Sequence, residues 1–320
     1  MKIVIPGGTG QIGCLLARAM VRDGHEVIVL SRKPELRQEW QVLPWDAVTV
    51  GKSLKIMEGA DVVINLVGRT VNCRLTPRHR HEIIESRVKS TRAIGEAIKG
   101  LNSPPRVWLQ ASTATIYAHR YDAPNDEFTG KLGGAEEGAP ETWDFSVKVA
   151  TEWEAAMSES GDLPGTRKVL LRSAITMSPD AGGVFEVMLG LVRKGLGGRV
   201  GNGKQFVSWI HSDDFVKAVY WLIEHQEIEG AVNVCAPGPL PNAEFMKAFR
   251  EAWGIGFGLP AENWMVEVGT FFLRTESELV LKSRRVVPGV LQKNGFEFKY
   301  PAWPQAVKQL CGQWRELHKV

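Results

Sequence analysis

The residues whose spacing most clearly implies chemistry stand near the start of the chain, in Gly7-Gly8-Thr9-Gly10-Gln11-Ile12-Gly13. They follow a β-branched run, Lys2 to Pro6, and open an amphipathic stretch, Gln11 to Asp23. In that setting the first glycine permits a tight turn. The second lets the backbone approach a pyrophosphate, and the third lets helix and strand pack closely. Unpaired N–H groups at the helix start then bind the anion. The next strand, Glu26 to Leu30, runs into Ser31-Arg32-Lys33, where an NAD enzyme would place an acid against the ribose 2′-hydroxyl. A hydroxyl and two cations suit a 2′-phosphate instead, and an arginine fork matches phosphate geometry. The spacing predicts a dinucleotide site that prefers NADP(H).

Short β-branched runs alternate with longer amphipathic stretches through the first 175 residues, as expected of a parallel sheet covered by helices on both faces. The strands are expected at Lys2 to Pro6, Glu26 to Leu30, Val48 to Val50, Val62 to Asn65, Val107 to Gln110 and Val169 to Arg172. The clearest helices are Gln11 to Asp23, Arg78 to Lys99 and Phe145 to Ser158. Asp122 to Glu141 reads as a surface loop. After Arg172 the alternation weakens, then returns as a helix, Ser212 to Glu224, and a strand, Ala231 to Val234. The fold class is therefore α/β, a Rossmann-type doubly wound parallel sheet with a smaller C-terminal α/β lobe. Residues 1–175 plus 212–235 are expected to form the NADP-binding domain. Residues 176–211 plus 236–320 are expected to form the substrate-binding lobe.

Composition narrows the partners. A chain of 320 residues with 44% hydrophobic and 23% charged residues can bury a sizeable core. Its net charge of +3 is too balanced for general attraction to nucleic acid, so a small-molecule ligand is expected. Cys14, Cys73, Cys235 and Cys311 lie too far apart for zinc spacing or a disulfide framework, which fits a reducing cytoplasm and no metal. No apolar run reaches the roughly 20 residues that span a bilayer.

These motifs together resemble an atypical extended short-chain dehydrogenase/reductase, of the NAD(P)-dependent epimerase-family subgroup with a distinctive C-terminal domain. The resemblance covers nearly the whole chain. It rests on Gly7 to Gly13, Ser31-Arg32-Lys33-Pro34, Asn65-Leu66-Val67-Gly68, Glu85-Ser86-Arg87, Trp153-Glu154 and Gly203-Lys204-Gln205 leading to Ser208-Trp209-Ile210-His211. Asn233, Ala236-Pro237, Asn242-Ala243-Glu244-Phe245, Pro288 and Gly295-Phe296 complete it. It implies a cofactor pocket built from the glycine loop, Ser31, Arg32, Leu66, Val67, Glu82, Arg87 and Thr176. The residues themselves support part of this, since Leu66 to Gly68 follow a strand at the edge where doubly wound sheets bind ligands. Glu82 and Arg87 can also be read as an exposed helical ion pair.

The wider superfamily is known for a Ser/Thr and a Tyr-x-x-x-Lys helix, in which the phenol moves a proton and the lysine lowers its pKa. Ala111-Ser112-Thr113-Ala114-Thr115-Ile116-Tyr117 matches the Ser/Thr segment and places Thr113 in that role. The helix expected to carry the pair instead reads Phe145-Ser146-Val147-Lys148-Val149, so Phe replaces Tyr and Val replaces Lys. Arg87 takes the place of the assisting Asn. A displaced copy is also excluded. The chain has four tyrosines, 117, 121, 220 and 300, and four residues beyond them stand Tyr121, Asn125, Glu224 and Pro304. Proton transfer must use Tyr117, Lys148, the substrate or water, with Tyr117 also readable as a packed aromatic.

Several other patterns are weaker. Gly198 to Lys204 imitates a phosphate loop but continues into Gln205, and reads as a turn before a strand. His211, Asp213 and Asp214 start a helix, where acids cap free N–H groups. Arg78-His79-Arg80-His81 reads as a solvated helix start. Cys14 reads as a small helix residue, although a helix N-terminus can lower a thiol pKa. Asn72 and Arg74, after the fourth strand, are candidates for contacts to a polar or anionic substrate. The expected function is an oxidoreductase or epimerase-like enzyme for a small polar metabolite. Its alternative is a catalytically silent NADP(H)-binding sensor, regulator or assembly factor.

Overall fold

The computed structural model describes residues 1–34, 39–134, 136, 141–262 and 281–319. Parts of two sequence features, the 122–141 loop and the C-terminal lobe, lie outside these residues. At the centre are β1 (Lys2–Pro6), β2 (Glu26–Ser31), β3 (Gln41–Pro44), β4 (Val62–Asn65), β5 (Val107–Thr113), β6 (Arg167–Ser173) and β10 (Gly230–Val234). They form one seven-stranded sheet in the order β3-β2-β1-β4-β5-β6-β10, and each neighbouring pair is parallel. The Rossmann-type reading is correct. The chain reverses direction along the sheet between β1 and β4, and such a crevice at the carboxyl ends of the strands is where ligands bind.

Strand alternation divides the core in two. Ile3 and Ile5 pack with α1 (Gln11–Arg22) and α5 (Ser212–Glu224), while Val4, Ile28 and Val63 face α2 (Pro77–Lys99) and the end of α3 (Glu141–Ser158). Each fully buried aliphatic side chain contributes about 1.5–3 kcal/mol, so sheet and helices lock together. Helix α2 begins where Pro77 fits the first turn and the Thr76 hydroxyl accepts the His79 N–H at 3.2 Å.

A separate apolar cluster joins α4 (Val184–Arg193), α6 (Asn242–Trp253) and the C-terminal α8 (Trp303–His318), with Phe245 stacked on Trp303 at 4.0 Å. Short strands β7 (Ile175–Met177) and β9 (Trp209–His211) pair beside it, as do β8 (Phe206–Val207) and β11 (Leu240–Pro241). Not everything after Ala236 joins this cluster. Leu291, on the short α7 (Gly289–Lys293), and Phe296 pack on the sheet core. No helix among the described residues is long and apolar enough to cross a membrane.

Two local expectations change. The third strand is Gln41–Pro44, and Val48 to Val50 are not a strand. The Asp46 carboxylate accepts the Val48 and Thr49 N–H groups, closing a turn, and Val48 and Val50 stay exposed without a face to bury. At the start of α5 the cap is His211, whose Nδ1 accepts the Asp213 N–H at 3.0 Å. Asp214 serves another segment. Fully buried, its carboxylate accepts the Lys299 and Tyr300 N–H groups at 2.7 and 2.8 Å.

Asp214→Ala strands two backbone donors, at about 1–3 kcal/mol each, and should destabilise the protein by about 2–4 kcal/mol in urea denaturation. Asp213→Ala removes a half-exposed ion pair with Lys299 and a 4.0 Å approach to the His211 ring and should cost under about 1 kcal/mol.

Candidate active site

The glycine loop occupies the carboxyl edge of β1. Gly7 has φ +75°, and a Cβ there would lie 2.7 Å from the Val67 nitrogen. Only glycine fits both the turn and the approach of the β4 end. A Cβ on Gly13 would come within 2.4 Å of the Gly8 backbone, so α1 starts in direct contact with the loop. Gly10 caps α1 without a side-chain bond, and the space beyond its Cα is open. The first-turn N–H groups therefore face a gap that a side chain would fill. Cys14, next to Gly13, has its thiol pKa raised by burial, so it is not activated.

Two further segments converge on this edge. The Ser31 hydroxyl accepts the Lys33 N–H at 3.0 Å and lies 3.3 Å from the Thr9 hydroxyl, linking the end of β2 to the loop. Arg32 and Lys33 are exposed beyond it. At the end of β4, Asn65 is fully buried and accepts the Val67 N–H, while its amide donates to Gln110 at 2.9 Å. This fixes the Leu66–Gly68 turn against Gly7. Arg87 reaches the same turn from α2. Its guanidinium donates to the Arg69 and Ile83 carbonyls at 3.0 Å each, lies 4.8 Å from the Trp153 ring centre, and would meet a Cβ on Gly68 at 3.0 Å. Burial pushes its pKa down to about 10. Glu82 does not join it. That carboxylate pairs with Arg69 and Arg78, which sets aside the alternative reading of Glu82 and Arg87 as an exposed helical ion pair.

Two buried donors adjoining these segments, Gln11 Nε2 and Arg87 Nε, lack a hydrogen-bond partner. Orphaned donors beside an open helix start fit an anionic, oxygen-rich ligand such as a dinucleotide. Ile12 packs into the sheet core, and Thr176 is buried on β7 opposite Ile210. Asn72 and Arg74 are exposed on the segment after β4. Among the described residues no group of three His, Cys, Asp or Glu side chains is placed to hold a metal.

Thr113 ends β5 beside Ser173 of β6. Its hydroxyl accepts the Thr115 N–H at 3.2 Å and lies 3.1 Å from the Thr115 hydroxyl. That second hydroxyl accepts Arg284 Nε at 3.3 Å, and buried Lys282 donates to the Thr115 carbonyl. A C-terminal segment thus brings two basic residues to the turn after Thr113. No spacing rule in the sequence joins residues so far apart.

Tyr117 is not presented to a reacting group. It is 3% exposed, donates to Asn233 Oδ1 at 2.9 Å and accepts from Arg172 at 3.0 Å. Arg172 also grips Glu154 through two bonds of 2.9 and 2.7 Å. Burial raises the phenol pKa in spite of Arg172. The hydroxyl links the turn after β5 to β6 and β10. Lys148 points outward and pairs with Glu152. Phe145 and Val149, at the missing Tyr and Lys positions, are buried in an apolar cluster with Ile83.

The parallel order of the sheet and the glycine edge define a dinucleotide-binding protein of the Rossmann type. The chain belongs to the NAD dependent epimerase/dehydratase family, whose model matches residues 3–235. A second model, a domain of unknown function (DUF1731), matches residues 263–310. Among relatives, the epimerase family protein SDR39U1 of Homo sapiens is 29% identical over 316 residues, covering 97% of this chain and 99% of the relative. An epimerase family protein of Staphylococcus aureus is 30% identical over 310 residues, covering 97% and 98%. The crystal structure of human SDR39U1 with NADPH superposes with a TM-score of 0.84 at 29% identity, covering 98% of this chain and 99% of that one. A UDP-glucose 4-epimerase from Thermus thermophilus, 17% identical with a TM-score of 0.72 and 98% and 99% covered, shares the fold.

The apolar packing of the Tyr-x-x-x-Lys positions can be tested by restoring the pair. Phe145→Tyr combined with Val149→Lys should lower stability by about 2–4 kcal/mol, because it inserts a charge into an apolar cluster. It should confer no turnover on carbonyl substrates. Thermal unfolding and a coupled NADPH assay read the two outcomes.

Proposed function

We propose that the chain is an NADP(H)-binding oxidoreductase or epimerase-like enzyme acting on a small polar metabolite. The metabolite would lie between the sheet domain, residues 1–175 plus 212–235, and a second lobe, residues 176–211 plus 236–320. The observation that carries this reading is the joined edge itself. An uncapped helix start opens at Gly10, Thr9 contacts Ser31, and cations follow Ser31 where an NAD site needs an acid. The NADPH held by the human relative supports the same cofactor. The four free cysteines support a reducing, cytoplasmic setting.

In this assignment Gly7, Gly8, Thr9, Gly10, Gln11, Ile12 and Gly13 form the pyrophosphate turn, and Ser31 and Arg32 receive the 2′-phosphate. Leu66, Val67, Gly68, Arg87 and Thr176 complete the dinucleotide pocket. Bound NADP(H) supplies or accepts a hydride. Thr113 orients the reacting oxygen of the substrate through its hydroxyl, and Asn72 and Arg74 contact polar groups further out. With the Tyr117 hydroxyl bonded to Asn233 and Arg172 and Lys148 paired with Glu152 in solvent, the proton would pass between the substrate and water.

The burial of Phe145 and Val149 favours a second reading. A silent NADP(H)-binding sensor, regulator or assembly factor needs the dinucleotide edge and no proton relay. Turnover separates the two. Activity on a panel of carbonyl and nucleotide-sugar substrates that falls at least about tenfold in Thr113→Val supports the enzyme. Tight NADPH binding without turnover supports the sensor.

NADPH should bind wild-type protein more tightly than NADH, and Arg32→Ala should erase about tenfold to a hundredfold of that preference, the worth of a charge-assisted bond. Parallel fluorescence titrations check this. Equal wild-type affinities would remove the basis for NADP(H).

A further inference from the structure

We propose that Lys52 is a further cation of the 2′-phosphate subsite, on the wall of the same cavity as Arg32. The assignment rests on the NADP(H) reading above and adds a residue from a different loop. A cavity of about 540 Å³ opens at the ends of β2 and β3, lined by Ser31, Arg32, Trp45, Asp46, Lys52 and Ser53 among others. That volume lies within the range of cofactor and ligand pockets. The cavity adjoins the glycine loop, because the Ser31 hydroxyl on its wall lies 3.3 Å from that of Thr9.

Charge decides what the cavity accepts. A phosphate monoester carries nearly two negative charges at neutral pH, and Arg32 supplies one cation. Lys52, on the wall of the cavity, supplies another from a different loop. Asp46, the acid on the wall, is turned onto its own loop. One carboxylate oxygen accepts the Val48 and Thr49 N–H groups at 2.9 and 2.8 Å, and the other accepts the Thr49 hydroxyl. An acid so engaged is poorly placed to grip a ribose hydroxyl, and among the described residues Arg32 and Lys52 are the cations on the cavity wall.

The loop that carries Lys52 is built rather than slack. The Trp45 indole donates to the Thr49 carbonyl at 3.0 Å, and Ala47 holds a left-handed φ of +68°. Strain of this kind persists where surrounding structure enforces it. Beyond Lys52 the chain enters a 3₁₀ turn, Leu54–Met57, whose Leu54 and Met57 are buried in the core. The backbone at Lys52 is thus anchored on both sides, while its side chain stays exposed for a ligand.

Calorimetric titration of the full chain with adenosine 2′,5′-bisphosphate and with 5′-AMP tests the proposal. Lys52→Ala should weaken the bisphosphate about tenfold or more, with 5′-AMP unchanged within about twofold. Lys52→Arg should keep the preference. Lys52→Ala binding the bisphosphate like wild type, or losing both ligands equally, overturns the assignment while NADP(H) binding stands. A wild-type protein that does not distinguish the two ligands overturns the NADP(H) reading and Lys52 with it.

Discussion

The contact of Gly13 with the Gly8 backbone is the constraint on which the ligand edge depends. With no side chain between them, α1 begins directly above the turn from β1. The matching absence of a side chain at Gly7 lets the β4 end close against the same turn. Three segments from separate parts of the chain, the glycine loop, Ser31 and Leu66–Gly68, thereby reach one edge. A methyl group at either position would push apart elements that the sheet register holds together, because a packed interior yields little.

Behind the end of β5, polar side chains bond to one another. Ser112, Glu154, Arg172, Tyr117 and Asn233 form a continuous hydrogen-bonded set across β5, β6 and β10. Glu127 extends it by accepting the Asn233 N–H at 2.7 Å, and burial raises the pKa of that carboxylate. Such a network is satisfied internally and gives specificity to the packing of the strands. The helix that should carry the relay turns Phe145 and Val149 toward α2, and the result is a core contact.

Local rules served well where one element decides its own structure. The glycine spacing, the β-branched strands and the Ser212–Glu224 helix were legible because turn geometry and periodicity act over a few residues. They failed where a side chain bonds at long range or where two local signals compete. Val48 to Val50 has strand composition, yet the Asp46 carboxylate takes its N–H groups into a turn. Asp214 sits where an acid caps a helix, yet Lys299 and Tyr300 claim it from 85 and 86 residues away. Arg87 and Glu82 share a helix, but Arg69 intervenes. The approach of Lys282 and Arg284 to Thr115, across more than 160 residues, is a tertiary fact with no periodic or motif signature.

Gln11 contributes more to the cleft than its place in the glycine loop implies. Its amide occupies the position a side chain on Gly183 would need, within 2.0 Å of that Cβ. The glycine loop and the helix α4 that begins after Gly183 therefore touch through this one amide, and any side chain at position 183 would have to displace it.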